Sequence, residues 1–479
     1  MRPPSMRYPT DPEFLFELEP EPTTDTLTSY GGVPLLVRTC RALGVPASVA
    51  RHVHVKKRSR GYDEAAMVES LVILHAVGGD NLEDLTHLRE DAGLPEMVGH
   101  QIPSPEAARQ FLYQCHDDRL IAAAQAAVPA GHVTYVPAET AALAGLGAVN
   151  RDLVQEVGRR CPDQRIATID LDATVIESHK RDARVAYTGD RGYQPLVAVW
   201  AEMDLIVADQ FRDGNVAARQ APRPVAQAAF AALPETVQEY YFRGDSACYE
   251  QDLLHWLTDP ARPGGPAGRI GFAVSAVMSP PLRAAITALP ATAWEPYGAS
   301  DDEVLRSCAD VVFVPEDLHA PKDARPLRYV AVRLERRQGT LFADGTTVKY
   351  FAVATNLEDW TAPRLLEWQR EKAGTIEHVH HVLKNELGAG VLPCGRFGAN
   401  AAWFRLAGLT HNLLTALKRL ALPPELLAAR PKRLRFLILQ TAGRLVHHAR
   451  RTRLRLALRA ERFAWWREAW AALLLPAPV

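Results

Sequence analysis

Residues 165–172, RIATIDLD, decide how the chain is read. Apolar and polar residues alternate there, which predicts a β-strand whose successive side chains point to opposite faces. Thr168, Asp170 and Asp172 then share one face, Ile169 and Leu171 pack behind it, and Asp172 closes the strand. Two more strands are expected in QPLVAVWAEMD (194–204) and LIVADQF (205–211). A helix, PVAQAAFAALP (224–234), leads to a fourth strand, VQEYYFRGD (237–245), which Asp245 closes in the same manner. The helix YEQDLLHWL (249–257) follows. Strands succeeded by interleaved helices predict a mixed α/β layer.

Beyond that layer the texture changes. Residues 265 to 356 hold the β-like runs RIGFAVSAV, RYVAVRLERR and TTVKYFAVATN between Pro- and Gly-rich loops. A long helix is expected from about Trp360 to Leu387. It carries Glu377, with Lys384 seven residues on and so near the same face. Upstream, residues 30 to 120 read as short helices, among them GGVPLLVRTCRALGV, DEAAMVESLVILHAVGG and NLEDLTHLRED. SPEAARQFLYQC opens with Ser104 as N-cap and Pro105 at the first helical position. Small helical units of this kind suit DNA binding and suit an accessory role equally.

The 479 residues exceed one ordinary domain, and 47% of them are apolar, enough for a large core. No apolar run reaches membrane-spanning length, and no charged head precedes an apolar stretch at the start, so neither membrane nor signal peptide is expected. Six cysteines stand singly without zinc-finger spacing, as in a reduced cytosolic protein. The net charge of −1 conceals an asymmetry. Asp11, Glu13, Glu17, Glu19, Glu21 and Asp25 crowd an acidic lead-in, whereas the last fifty residues are rich in arginine with almost no acid.

Asp172, Asp245 and Glu377 together suit phosphodiester chemistry. Transfer at phosphorus needs an activated oxygen nucleophile, a stabilised leaving oxygen and charge compensation, and two Mg²⁺ ions supply all of these. Mg²⁺ takes oxygen ligands and retains waters, so a few convergent carboxylates suffice. With 56 acidic residues in the chain, spacing alone does not single out this trio.

The surrounding residues do more. Asp172-Ala173-Thr174, GYQPLVAVW (192–200) and FRDGN (211–215) resemble the first half of the catalytic domain in insertion-sequence DDE transposases of group 1, closest to the family numbered thirteen-eighty. RGDSACYEQDLL (243–254) is similar to the block holding that family's second Asp, and EKAGTIEHVHHVLKNELGAG (371–390) to the block holding its Glu. GGVPLLVRTCRALG and LREDAGLPEMVG extend the likeness over nearly the whole chain. The resemblance implies a ribonuclease-H-like α/β core with a β-rich insertion between the second Asp and the Glu, flanked by helical N-terminal and C-terminal regions.

It further implies that Asp172, Asp245 and Glu377 are catalytic and hold two Mg²⁺ ions, with Mn²⁺ able to substitute. The family's Glu lies in a pattern Tyr-x2-Arg-x3-Glu-x6-Lys. Glu377 and Lys384 fit its last spacing, but Arg370 and Ala373 occupy the Tyr and Arg positions, so that half is lost or displaced. Arg370 and Lys384 are candidate DNA contacts. Asp170, two residues earlier on the same strand face, rivals Asp172; the Asp-x-Thr match and the position nearer the strand end favour Asp172. His378, His380 and His381 are expected to meet DNA or solvent, because Mg²⁺ prefers oxygen.

The stretch PKRLRFLILQTAGRLVHHARRTRLRLALR (431–459) reads as a helix with apolar and basic faces. Arg450, Arg451, Arg453 and Arg455 are its best DNA-contact candidates. Arg333, Arg336, Arg337 and Lys349 offer a second basic track, and Trp294, Tyr297 or Trp360 a stacking platform. The expected division is an acidic flexible lead-in over 1–28, a helical DNA-binding or accessory region over 29–160, core over 161–264, insertion over 265–357, core with the catalytic Glu over 358–420, and a basic helical region over 421–479. The expected activity is cutting at terminal inverted repeats of double-stranded DNA and joining the 3′-hydroxyl ends to a target, by a homodimer on DNA in the bacterial cytoplasm at the nucleoid. A nuclease of the same fold, or a domesticated protein that binds DNA without cutting, remain the alternatives.

Overall fold

RIATIDLD becomes the middle strand of a five-stranded core within a nine-stranded sheet. The computed structural model describes residues 19–55, 61–180, 182–298, 303–315, 326–336 and 341–473. Strand β1 (Ile166–Ala173) pairs antiparallel with β2 (Leu196–Trp200), which pairs antiparallel with β3 (Leu205–Gln210). On its other side β1 runs parallel to β4 (Glu239–Gly244), and β4 runs parallel to β5 (Ile270–Ser275). The order β3-β2-β1-β4-β5, an antiparallel meander followed by two strands parallel to the first, is the topology of a ribonuclease-H-like core. A parallel partner needs a crossover. Helix α1 (Arg223–Ala231) lies in the one from β3 to β4, and α2 (Gln251–Thr258) in the one from β4 to β5.

RIGFAVSAV, expected within the insertion, is core strand β5, and the β-rich segment after it extends this same sheet. Strands β6 (Glu295–Pro296), β7 (Val304–Val311), β8 (Arg328–Arg336) and β9 (Val348–Thr355) form an antiparallel meander, and β9 pairs antiparallel with β5. β7, VLRSCADV, is a strand that the sequence pattern did not announce. Arg337 lies outside the described residues.

The long helix α3 (Ala362–Glu386) crosses the face of β1 and β4 that bears Asp170 and Arg243, and α4 (Phe397–Leu420) packs beside β3. Buried polar links tie the N-terminal helices to this core. Arg405 of α4 binds both Asp209 at the end of β3 and Glu139, at 2.9 and 2.8 Å. Asn412 of α4 donates to Asn150 of the helix Ala141–Arg159 (2.8 Å), and its Oδ1 accepts from the Ile206 amide (2.8 Å). One apolar cluster runs from Val33 to Leu473. Ser104 caps its helix as expected, accepting from the Ala107 amide. All six cysteines are free. Among the described residues no single helix is long and apolar enough to cross a membrane.

The C-terminal region departs from expectation. The helical reading of residues 431–459 gives way to two short helical turns, Pro431–Leu434 and Arg435–Leu439, and then a hairpin of β10 (Gly443–His448) and β11 (Arg451–Leu456). RTRLRL alternates with period two, and the strand this permits pairs with β10, which in turn pairs with Leu27–Thr28. Leu445, Leu454 and Leu456 turn inward while Arg451, Arg453 and Arg455 are exposed. Ala449 and Arg450 form the tip with φ of 50° and 62°. Both are left-handed, as a two-residue hairpin turn matching strand twist requires. Of the acidic lead-in expected over 1–28, residues 1–18 lie outside the described residues. Leu27–Thr28 is instead an ordered strand paired with β10, and Asp25 bridges Arg444 at 2.6 Å.

Candidate active site

The site follows from two rungs on one face of the β1–β4 pair, two residues apart. Their parallel register sets Asp170 beside Arg243 and Leu171 beside Gly244, so the next step brings Asp172 beside Asp245. Strand alternation puts Asp170, Arg243, Asp172 and Asp245 on the face that α3 covers. The first rung joins opposite charges. Arg243 grips both oxygens of Asp170, which also accepts from the Thr375 hydroxyl of α3. The same guanidinium donates to the Trp368 carbonyl (2.6 Å) and meets Glu371 (3.1 Å), so it fastens α3 across the sheet. Asp170 is thus fully engaged in holding the fold.

The second rung sets two carboxylates side by side, an arrangement that repels unless a cation joins it. Asp245 lies just past β4, where it accepts from the Ala247 amide (3.0 Å) and starts the turn Ser246–Cys248. Gly244 permits that turn, because a Cβ there would meet Cys248 at 2.4 Å. Burial, and then the charge of Asp172, raise the Asp245 pKa above the ordinary carboxylate value. Lys372 of α3 supplies the cation, its Nζ 2.8 Å from Asp172 Oδ2.

Lys372 was not anticipated from the sequence. It lies between Arg370 and Ala373, the positions where the Tyr-x2-Arg half of the pattern would fall. A signal was nonetheless present. Leu365, Lys372, Ile376, Val379 and Leu383 form an inward stripe of α3, and a lysine in such a stripe needs an anionic partner.

Glu377 lies on α3 as expected but is exposed, off that inward stripe. Among the described residues no three acidic, histidine or cysteine side chains converge as a metal-binding group. The structure therefore brings Asp172 and Asp245 together and leaves Glu377 on the flank of the neighbouring helix. Lys384, one face with Glu377, donates to the Val175 carbonyl (3.3 Å), three residues past Asp172. Arg370 is exposed and faces Tyr297 and Gly298, on the insertion side.

His380 corrects an expectation. It is buried near Asp172 and meets neither solvent nor a surface for DNA; burial brings its pKa down to about 4, so the ring is neutral. His381 is exposed and contacts Asn385. FRDGN is a scaffold beside the site. Phe211 packs on Tyr193 and Phe397, buried Arg212 holds the carbonyls of Ala218 and Ala221, and Gly214 fits where a Cβ would meet the Gly192 carbonyl at 2.6 Å. Asp213 faces a cleft of about 360 Å³ shared with Asp182, Arg184, Arg396 and His116. Burial lifts its pKa to about 6.

A family model for the group 1 transposase DDE domain matches residues 17–474. The chain belongs to this family. Among solved structures, this DDE-family chain is similar to one from a cryo-EM piggyBac transposase synaptic complex with hairpin DNA, at 8% identity and a TM-score of 0.41, over 82% of this chain and 77% of that one. No curated protein matches it in sequence.

The family uses divalent metal ions. The donors at the second rung fit a hard cation. Two aspartates present carboxylate oxygens at adjoining strand ends, and an ammonium already occupies the position beside them. Mg²⁺ accepts one or two carboxylates and fills its remaining positions with water and phosphate oxygen.

Proposed function

We propose that this DDE-family protein is a transposase that binds the terminal inverted repeats of its element, cleaves the DNA there and joins the freed 3′-hydroxyl ends to a target. The observation that supports this most directly is the pairing of Asp172 with Asp245 at the ends of two parallel strands in a ribonuclease-H-like core. Asp172 and Asp245 would hold Mg²⁺, or Mn²⁺ in its stead, and Glu377 would complete the set from α3. Bound there, the ions supply an activated oxygen nucleophile and charge compensation at phosphorus.

The chain's own residues do the rest. Arg243 and Asp170 fix α3 against the strand ends, so that Glu377 and Lys384 stand on a rigid element rather than a loop. Lys384 and Arg370 project from α3 as cations for the phosphate backbone. The outer face of the β10–β11 ribbon presents Arg451, Arg453 and Arg455, with Arg450 at its tip, as a second grip on duplex DNA. The opposite face is tied to the body, where Thr452 donates to Glu96 at 2.7 Å and His447 meets the same carboxylate. Holding two element ends together calls for two copies of the chain on DNA, acting in the bacterial cytoplasm at the nucleoid.

The test is excision of a marker flanked by the element's own terminal repeats. Wild type should excise, and Asp172→Ala, Asp245→Ala and Glu377→Ala should bind the ends without cutting them. Cleavage without strand transfer from supplied 3′-hydroxyl ends would make the protein a nuclease of the same fold. Binding with no cleavage in Mg²⁺ or Mn²⁺ would make it a binding protein.

A further inference from the structure

We propose that Lys372 is the resident counter-cation of the Asp172–Asp245 pair, that a divalent ion must displace it to enter, and that DNA phosphate draws it away. This rests on the reading of Asp172 and Asp245 as metal-holding residues, and concerns how that site is loaded.

The two rungs differ in how their charges are balanced. Asp170 has a permanent partner in Arg243, a fully engaged guanidinium on the neighbouring strand. Asp172 has no such partner on β4, where the facing position is Asp245. Two carboxylates side by side in a partly buried place cannot both stay ionised without a nearby positive charge. Lys372 provides it from α3, and its side chain is only 10% exposed while that of Asp172 is 21% exposed. A lysine pays heavily in lost hydration to lie there, and only the paired carboxylates repay it.

Other cations nearby do not reach the pair. Lys384 reaches the Val175 carbonyl, Arg243 is held by Asp170 and Glu371, and His380 is neutral. Among the described residues Lys372 is therefore the charge that balances the pair. An incoming Mg²⁺ would seek the same oxygens and be repelled by the ammonium over a short distance. Lysine suits this office better than arginine. Its ammonium is a point charge on a flexible four-carbon stem, able to swing from one anion to another without losing a bidentate fit. A DNA phosphate placed over the site offers such a second anion, and with Lys372 drawn to it, metal loading becomes easier. Linkage makes the effect mutual, so that metal would also tighten the grip on DNA. Lys372 is thus a positioning residue, and it disfavours metal in the absence of substrate.

The experiment measures Mn²⁺ binding to the full-length protein by electron paramagnetic resonance, so that no turnover is needed. Lys372→Met keeps the aliphatic stem and removes the charge. Without DNA it should bind Mn²⁺ roughly tenfold more tightly than wild type. Adding a duplex of unrelated sequence should tighten Mn²⁺ binding to wild type but leave Lys372→Met nearly unchanged. A thermal melt guards against misfolding: Lys372→Met should melt lower than wild type in chelator and gain more from added Mn²⁺. Equal or weaker Mn²⁺ binding by a folded Lys372→Met, or an equal response of both proteins to DNA, overturns the proposal. Asp172→Asn separates the two levels of inference. If it binds Mn²⁺ as wild type does, the metal-holding role of the pair fails and the role of Lys372 goes with it. If it loses Mn²⁺ while Lys372→Met gains none, the pair stands and only Lys372 is reassigned.

Discussion

Arg243 meets both carboxylate oxygens of Asp170, Nε to Oδ1 at 2.7 Å and Nη2 to Oδ2 at 2.9 Å, with the two side chains 2% and 0% exposed. This bond separates two aspartates that lie two residues apart on one strand face. Removing one partner of a buried pair leaves an uncompensated charge, at a cost of about 3–5 kcal/mol. Asp170→Ala should therefore lower the unfolding free energy by that amount in urea titrations. Asp172→Asn takes one partner from Lys372 but also relieves a like-charge contact with Asp245, which still faces the ammonium, so it should cost less than Asp170→Ala and remain folded while losing DNA cleavage. A stable, unperturbed Asp170→Ala would show that the clamp on α3 lies elsewhere.

Glu377 makes the opposite case. Its side chain is exposed on α3, so Glu377→Gln should shift stability by no more than about 0.5 kcal/mol, the usual range for a surface change. Cleavage of end-containing DNA should nonetheless fall by orders of magnitude. Electrophoretic binding and cleavage assays on one protein preparation check both halves. Full cleavage by Glu377→Gln would remove it from the site.

For the β10–β11 ribbon the measurable quantity is the dependence of DNA affinity on salt. Arg451, Arg453 and Arg455 are exposed on one face. Each cation that neutralises a phosphate contributes close to one unit to the slope of log affinity against log salt. Arg453→Ala should reduce that slope by about 1 and weaken binding to all sequences alike. The triple alanine variant should reduce it by about 3. An unchanged slope would assign the ribbon to contact between protein copies.

The core and the ribbon differ in how far sequence revealed them, and the reason is physical. RIATIDLD and VQEYYFRGD carry their own period-two alternation and end in acids, so strand, face and site residue could be read together. In residues 431–459 the periods of helix and strand compete. Arginines at 451, 453 and 455 fall on one face of a strand, yet the longer run also supports an amphipathic helix. What settles it is the pairing of Gly443 and Arg444 with Thr28 and Leu27, a contact between distant parts of the chain that no local pattern encodes. Lys372 was illegible for a similar reason: its partner Asp172 lies 200 residues earlier, and only the inward stripe of α3 hinted at a buried charge.

His100 and Glu69 give the N-terminal helices a pH dependence of definite sign. His100 Nε2 lies 2.9 Å from Glu69 Oε1, and Arg41 binds the same carboxylate at 2.7 Å. Burial lowers the His100 pKa, but the hydrogen bond and charge of Glu69 more than offset it, leaving the value above the ordinary 6.5. Burial likewise raises Glu69, yet His100 and Arg41 bring it below the ordinary 4.5. A group with a raised folded pKa contributes stability that is full below its unfolded value and is lost as pH rises through the folded one. Glu69, with a depressed pKa, contributes above its unfolded value and loses that contribution as pH falls. The pair therefore stabilises most between 4.5 and 6.5. Buried His75 runs against this trend, since burial lowers its pKa to about 3 and its contribution is lost as pH falls from 6.5 toward that value; it is common to wild type and His100→Gln and cancels in their comparison. His100→Gln keeps a donor for Glu69 and removes the titration. Melting temperatures of wild type should fall more than those of His100→Gln between about pH 5.5 and about pH 8.5. Parallel curves for the two proteins would mean that His100 carries no proton that folding holds.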